Sequence, residues 1–172
     1  MRLLSIVSLA LALSLPLAAC EKKPDPAVAA AVAAKTLAEG QAFMAKQAME
    51  PGVMSLPNGI LYKVITAGPP TGASPHVPDE VKVHYEGKLL NGTVFDSSFE
   101  RGAPATFPLR GLIRAWLIVL PHMKPGDEWQ IWVPADMGYG EQDSAAIPAN
   151  SVLVFRIQLI DFLPTPRATA NG

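Results

Sequence analysis

From Glu80 to Leu89 the chain reads EVKVHYEGKL, with Val81, Val83 and Tyr85 alternating with Lys82, His84 and Glu86. A period of two cannot be buried on one side of a helix, so the segment is a β-strand with one apolar and one polar face. Asn91-Gly92 follows, and because both residue types tolerate positive φ the pair predicts a tight turn into a second strand carrying Phe95-Asp96. The alternation returns after Pro125-Gly126, where Trp129, Ile131 and Val133 stand against Glu128, Gln130 and Trp132. It returns again near the end, with Leu153, Phe155, Ile157 and Leu159 set against Val154, Arg156, Gln158 and Ile160. ILYKVI at 60–65 reads as a further strand. Only GLIRAWLIVL at 111–120 breaks the pattern, since Leu112, Ile113, Trp116, Leu117 and Leu120 recur at helical spacing. The expected fold class is α+β, a curved antiparallel β-sheet wrapped around one short α-helix, occupying residues 58–163.

The flanks are of different composition. Arg2 is followed by the apolar run LLSIVSLALALSLPL and then by Ala-Ala-Cys. That run is short for a permanent membrane span and ends in small residues, as a secretory leader with its cleavage site does, so residues 1–19 are expected to be a signal peptide. Cys20 is the only cysteine. LAAC at 17–20 resembles the lipobox of bacterial lipoproteins, which implies lipidation at Cys20 and a lipid anchor; the alternative is an ordinary signal peptide with a chance cysteine. Glu21 in place of Asp resembles lipoproteins sorted to the outer membrane, so the expected location is the bacterial cell envelope, facing the periplasm. Residues 20–57 read as an Ala-rich linker that turns helical. Pro24 and Pro26 discourage helix before Ala27, and Pro51-Gly52 stop it. Leu37, Gln41, Met44 and Ala48 fall near one face, a narrow stripe, so this N-terminal helical tether is expected to lean on the main domain only at its end. Residues 164–172 read as a disordered tail.

The chain carries 14 Lys plus Arg against 15 Asp plus Glu, with no basic stripe, which argues against nucleic acid as a partner. Loss of residues 1–19 would remove Arg2 alone, so acyl chains rather than charge would hold the protein to a membrane. His76, His84 and His122 are scattered with no ligand spacing around them, so no metal and no cofactor are expected. There is no Gly-x-Ser-x-Gly and no phosphate-cradling loop, and Ser97 and Ser98 after a strand read as turn formers.

What remains is an inward-facing set, Tyr85, Phe95, Phe107, Leu112, Ile113, Trp116, Tyr139 and Phe155, each of which could equally be ordinary core. The phrases VHYEGKLLNGTVFDSSFERGAPATFPL, GLIRAWLIVLPHMKPGDEWQIWVPADMGYG and IPANSVLVFRIQLIDF together resemble the FK506-binding-protein (FKBP) family of peptidyl-prolyl cis–trans isomerases. The lead-in AEGQAFMAKQAMEPGVMSLPNGILYKVI resembles its macrophage infectivity potentiator branch in bacterial envelopes. The resemblance implies an isomerase pocket in which a proline ring sits on Trp116, walled by Tyr85, Phe107, Leu112, Ile113 and Phe155. It implies that Tyr139 donates its hydroxyl to the substrate carbonyl, with Phe95 and Asp96 on the side where that carbonyl turns. Asp96 would be held by Tyr85 and by Arg101, which matches the family pattern FDSSxxR; otherwise Asp96 is a buried carboxylate that closes a turn. Implied partners are proline-containing exported proteins and macrolides of the FK506 and rapamycin type.

The chain departs from the family pattern at several points. Ala115 stands for Gly before the Trp, Leu117 and Ile118 stand for polar residues, MGYG for LAYG, IPAN for IPPN, and Ala105 for a second Phe. Gly138 and Ala149 are expected to loosen the loop around Tyr139, and Ile118 to point outward beside the pocket mouth. Two functions remain open: an isomerase for slow X-Pro bonds, or a module that holds proline segments without accelerating them much.

Overall fold

A computed structural model describes residues 25–143 and 146–166. The leader, Cys20 and the tail from 167 lie outside the described residues. Helix α1 spans Pro26–Gln47. Strands β1 (Met54–Ser55), β2 (Leu61–Thr66), β3 (Glu80–Leu89), β4 (Val94–Ser97) and β5 (Ala105–Pro108) precede the short helix α2 (Arg114–Val119), and β6 (Glu128–Val133) and β7 (Leu153–Leu163) complete the chain. The described strands form one antiparallel seven-stranded sheet in the order β1-β2-β6-β7-β3-β4, with β5 also on β3. The expected α+β class, a sheet around a short helix with a helix ahead of it, is the observed one.

β3 organises the sheet. Along one edge it pairs with β7 over its whole length, from Glu80↔Leu163 to Leu89↔Leu153. Along the other edge it has two partners in tandem, β5 opposite Glu80 to Val83 and β4 opposite Glu86 to Lys88. Its alternation is the predicted one, with Val81, Val83 and Tyr85 buried. They meet Ile131, Val133, Leu153, Phe155, Ile157 and Leu159 and the α2 residues Trp116 and Val119 in the main core.

Several local expectations change. The helix foreseen at 111–120 shortens to α2, flanked by 3-10 turns at Leu109–Gly111 and Leu120–His122. Leu112 and Ile113 are extended ahead of it, and Pro121, which has no N–H to donate, follows its end. Ile118 and Leu117 are half-buried against the core, so Ile118 does not point outward. In the hairpin turn Gly92 alone of the Asn-Gly pair has positive φ, at 88°. Its N–H bonds the Leu89 carbonyl at 2.9 Å and Asn91 Oδ1 accepts from Thr93 N at 2.9 Å, a three-residue loop closed by a left-handed glycine. β1 and β5 carried no signal, being too short for alternation, and β5 is framed by Pro104 and Pro108 at a sheet edge.

Helix α1 begins one residue early, with Pro26 in its first turn, where the missing N–H costs nothing; Asp25 Oδ1 accepts from Ala27 N at 2.8 Å. Its packed face is Ala33, Thr36, Gly40, Phe43, Met44 and Gln47, about one residue round from the predicted stripe, and Leu37 is left 40% exposed. Phe43 and Met44 cover Leu61, Trp132 and Val154 on the outer face of the sheet. Trp132 and Val154 were expected on a polar face; the helix lying over them accounts for their burial. The helix therefore touches the domain over more than its end. Past β7, Thr165 donates its N–H to Asp79 Oδ1 at 2.9 Å and its hydroxyl to the Pro78 carbonyl, which ties the chain to the sheet at that residue.

Candidate functional site

Neighbouring residues of a flat strand point to opposite faces, yet Phe95 and Asp96 line the same pocket. The pairing explains it. Gly87 is opposite Asp96 and Lys88 is opposite Val94, so Phe95 is an extra residue without a partner. This β-bulge bends and twists β4 enough to turn both side chains inward. Gly87 makes room for the result: a Cβ there would stand 2.6 Å from Phe95 Cζ and 2.8 Å from Phe155 Cε1. A lone glycine inside a strand marks such close approach.

The pocket has a volume of about 190 Å³ and is lined by Tyr85, Phe95, Asp96, Phe107, Leu112, Ile113, Trp116, Tyr139 and Phe155. Its rings meet mostly edge to face. Trp116 is 5.4 Å from Tyr85 at 86° and 5.5 Å from Phe155 at 82°, and Phe95 is 5.7 Å from Phe155 at 89°. Each such pair contributes about 0.5–1.5 kcal/mol beyond area burial and holds the rings at set angles. The space suits one small ring, being below the roughly 300–1,000 Å³ of pockets that enclose a whole drug-sized ligand, so a larger ligand would bury only one ring here.

One side of the pocket is polar. Asp96 accepts hydrogen bonds from the Tyr85 hydroxyl and from Arg101 Nη1, and Arg101 Nη2 donates to the Tyr85 oxygen at 3.0 Å. Burial alone would raise the Asp96 carboxyl; the bonds from Tyr85 and Arg101, the arginine charge and the Ser97 N–H outweigh it and hold the group below its ordinary range. Burial, then the bond to Asp96, pushes the Tyr85 phenol up. At neutral pH the site therefore presents a carboxylate and a neutral phenol. Tyr85 lies where β5 ends and β4 begins, and Ser98 bridges the gap. Its Oγ accepts from Tyr85 N at 2.7 Å, and its N–H donates to Tyr85 O at 2.9 Å.

Tyr139 stands at the mouth, 44% exposed, and its hydroxyl has no hydrogen-bond partner among the described residues. Its loop is held by backbone bonds: Gly138 N and Gly140 N both donate to the Ala135 carbonyl, at 3.0 and 2.8 Å, and Asn150 N donates to Gly140 O at 2.8 Å. A Cβ on Gly138 would lie 2.9 Å from Leu153 Cδ1, so this glycine brings the loop close to the core.

The sequence matches the family described as FKBP-type peptidyl-prolyl cis–trans isomerase over residues 72–160, and the domain amino-terminal to it over residues 17–64. The chain belongs to the FKBP family. It is 50% identical to the peptidyl-prolyl cis–trans isomerase Mip of Coxiella burnetii over 71% of this chain and 53% of that one. It is 44% identical to the outer membrane protein MIP of Legionella longbeachae over 72% of this chain and 52% of that one. The crystal structure of FkpA from Escherichia coli superposes with a TM-score of 0.76 at 37% identity, covering 81% of this chain and 65% of that one. The chain thus spans about half the length of the two curated relatives.

Within this FKBP chain, every residue the resemblance assigned to the pocket lines one cavity, and Arg101 stands behind Asp96. Ala105 leaves Phe107 as the ring that reaches Tyr85 from β5, 5.9 Å away. Ala115 is fully buried in the core. Two supporting residues escaped the sequence reading. Gly87 had a signal, glycine in the middle of a strong strand pattern; Ser98 had none, because its hydroxyl serves a gap between strands that only the assembled sheet contains.

Proposed function

We propose that this chain catalyses cis–trans isomerisation of X-Pro bonds in exported proteins. The observation that carries the reading is a ring-sized aromatic pocket whose polar side is a carboxylate held ionised. A planar X-Pro amide resists twisting by roughly 18–20 kcal/mol because rotation destroys its resonance. At the twisted point the carbonyl is less polar and the nitrogen pyramidal, so a dry pocket binds that state better than the planar one. The proline ring rests on Trp116 between Tyr85, Phe107, Leu112, Ile113 and Phe155. Tyr139 donates to a substrate carbonyl and keeps the chain in place while the bond turns. Phe95 and Asp96 face the rotating carbonyl, whose carbon loses electron donation from nitrogen as it twists and is stabilised by the adjacent carboxylate. An ionised Asp96 has no proton to give, so no general-acid role is assigned to it, and the bonds from Tyr85 and Arg101 hold its carboxyl below the ordinary range. A thousandfold acceleration needs about 4 kcal/mol, within reach of differential desolvation and one or two hydrogen bonds.

The test is the cis–trans exchange rate of a short proline peptide, with and without rapamycin. A catalysed rate abolished by the macrolide supports the proposal. Peptide binding without acceleration would instead make the chain a holding module. The leader, the LAAC sequence and the relative named as an outer membrane protein support a mature chain acylated at Cys20 and anchored in the envelope. Metabolic labelling with a clickable fatty acid should mark the wild type and not Cys20→Ala; equal labelling would rule out that anchor.

A further inference from the structure

Among the described residues, helix α1 meets the end of the Tyr139 loop at Gly40 and at Ala33. Gly40 is buried against the domain, and an added Cβ there would lie 2.8 Å from Val152 Cγ2. Valine is β-branched and stiff about χ1, and Val152 is itself buried, so it has little freedom to give way. Two turns nearer the amino terminus, the Ala33 carbonyl accepts from Asn150 Nδ2 at 3.3 Å. Asn150 has φ 62°, a left-handed conformation that asparagine tolerates better than most residues, and its N–H donates to Gly140 O at 2.8 Å. Gly140 follows Tyr139 directly. A path of contacts therefore runs from the α1 backbone through both ends of Asn150 to the residue beside the exposed tyrosine. Beside these contacts a groove of about 530 Å³ opens between α1 and the loop, with Leu37 and Met44 on one wall and Asp136 and Glu141 on the other.

We propose that α1 is a positioning element for catalysis, with Gly40 and Asn150 as positioning residues that set where the Tyr139 hydroxyl stands over the pocket. The inference rests on the reading of Tyr139 as donor to the substrate carbonyl. Among the described residues Tyr139 makes no side-chain hydrogen bond that would fix it, so its loop backbone places the hydroxyl, and small misplacements of a group that contacts the substrate cost rate.

Peptide kinetics and amide hydrogen exchange over 138–143 and 146–150 test this in the full chain. Gly40→Ala should lower kcat by roughly two- to fivefold, no more than loss of the Tyr139 hydroxyl itself, with KM nearly unchanged, and should speed loop exchange. Adding Val152→Ala removes the methyl that the new Cβ strikes and should restore both. Asn150→Gly keeps the left-handed backbone, loses the bond to Ala33 and should act like Gly40→Ala even if the latter folds poorly. Unchanged loop exchange in both Gly40→Ala and Asn150→Gly, or no rescue by Val152→Ala, overturns the proposal. If Tyr139→Phe turns over like wild type, the reading of Tyr139 falls, while the exchange data still decide whether α1 positions the loop.

Discussion

Each face of the sheet carries an apolar patch, and the two patches are finished differently. On the outer face Leu61, Trp132 and Val154 are buried beneath Phe43 and Met44 of α1. On the inner face Tyr85, Trp116 and Phe155 are equally buried, but Phe95, Phe107, Leu112 and Ile113 around them remain half-exposed about a cavity, with Asp96 and Arg101 at its side. An apolar cluster that a neighbouring element covers contributes stability. One left open in a concavity, with a charge held beside it, retains binding energy for another molecule.

Substitutions at the two tryptophans should break this comparison most sharply. Trp116→Ala and Trp132→Ala should each destabilise the fold by about 3–5 kcal/mol. Only Trp116→Ala should also abolish macrolide binding and reduce kcat/KM of the folded fraction by two orders of magnitude or so, since it removes the pocket floor. Equal kinetic losses in the two variants would mean that the faces do not differ in function. Gly87→Ala comes next, because its methyl would meet both Phe95 and Phe155. Overpacking of this kind costs about 1–3 kcal/mol, and the displaced rings should lower kcat/KM about tenfold; a wild-type rate would show that the pocket tolerates both rings moving.

Tyr139→Phe should be milder, costing about 1 kcal/mol in transition-state binding, roughly a fivefold fall in kcat/KM, with thermal stability unchanged because the hydroxyl has no hydrogen-bond partner among the described residues. The smallest effect concerns pH. The Asp96 carboxyl is held below its ordinary range in the folded protein, so its contribution to stability is present above about pH 4 and lost as pH falls through the lowered value. The Tm difference between wild type and Asp96→Asn should be flat near neutrality and shrink below about pH 4. A difference that persists undiminished into strong acid would mean that Tyr85 and Arg101 do not hold the Asp96 carboxyl below its ordinary range.

Residue order by itself determined the long strands, since the alternation in 80–89, 128–133 and 153–160 depends only on which side of a pleat each side chain takes. It also determined the hairpin after Leu89 and, through family resemblance, the membership of the pocket. It did not contain the bulge that turns Phe95 and Asp96 the same way, because register is a property of two strands and not of one. Nor could it show that Trp132 would be covered, that Gly40 rather than Leu37 would be the contact of α1, or that the Ser98 hydroxyl would bridge two edge strands. Each of those depends on what arrives from elsewhere in the chain: β3 opposite β4 for the bulge, α1 across β6 and β7 for Trp132 and Gly40, and the gap between β5 and β4 for Ser98. Local pattern fixes a side chain's direction, whereas its burial and its partners are settled only when distant segments close over it.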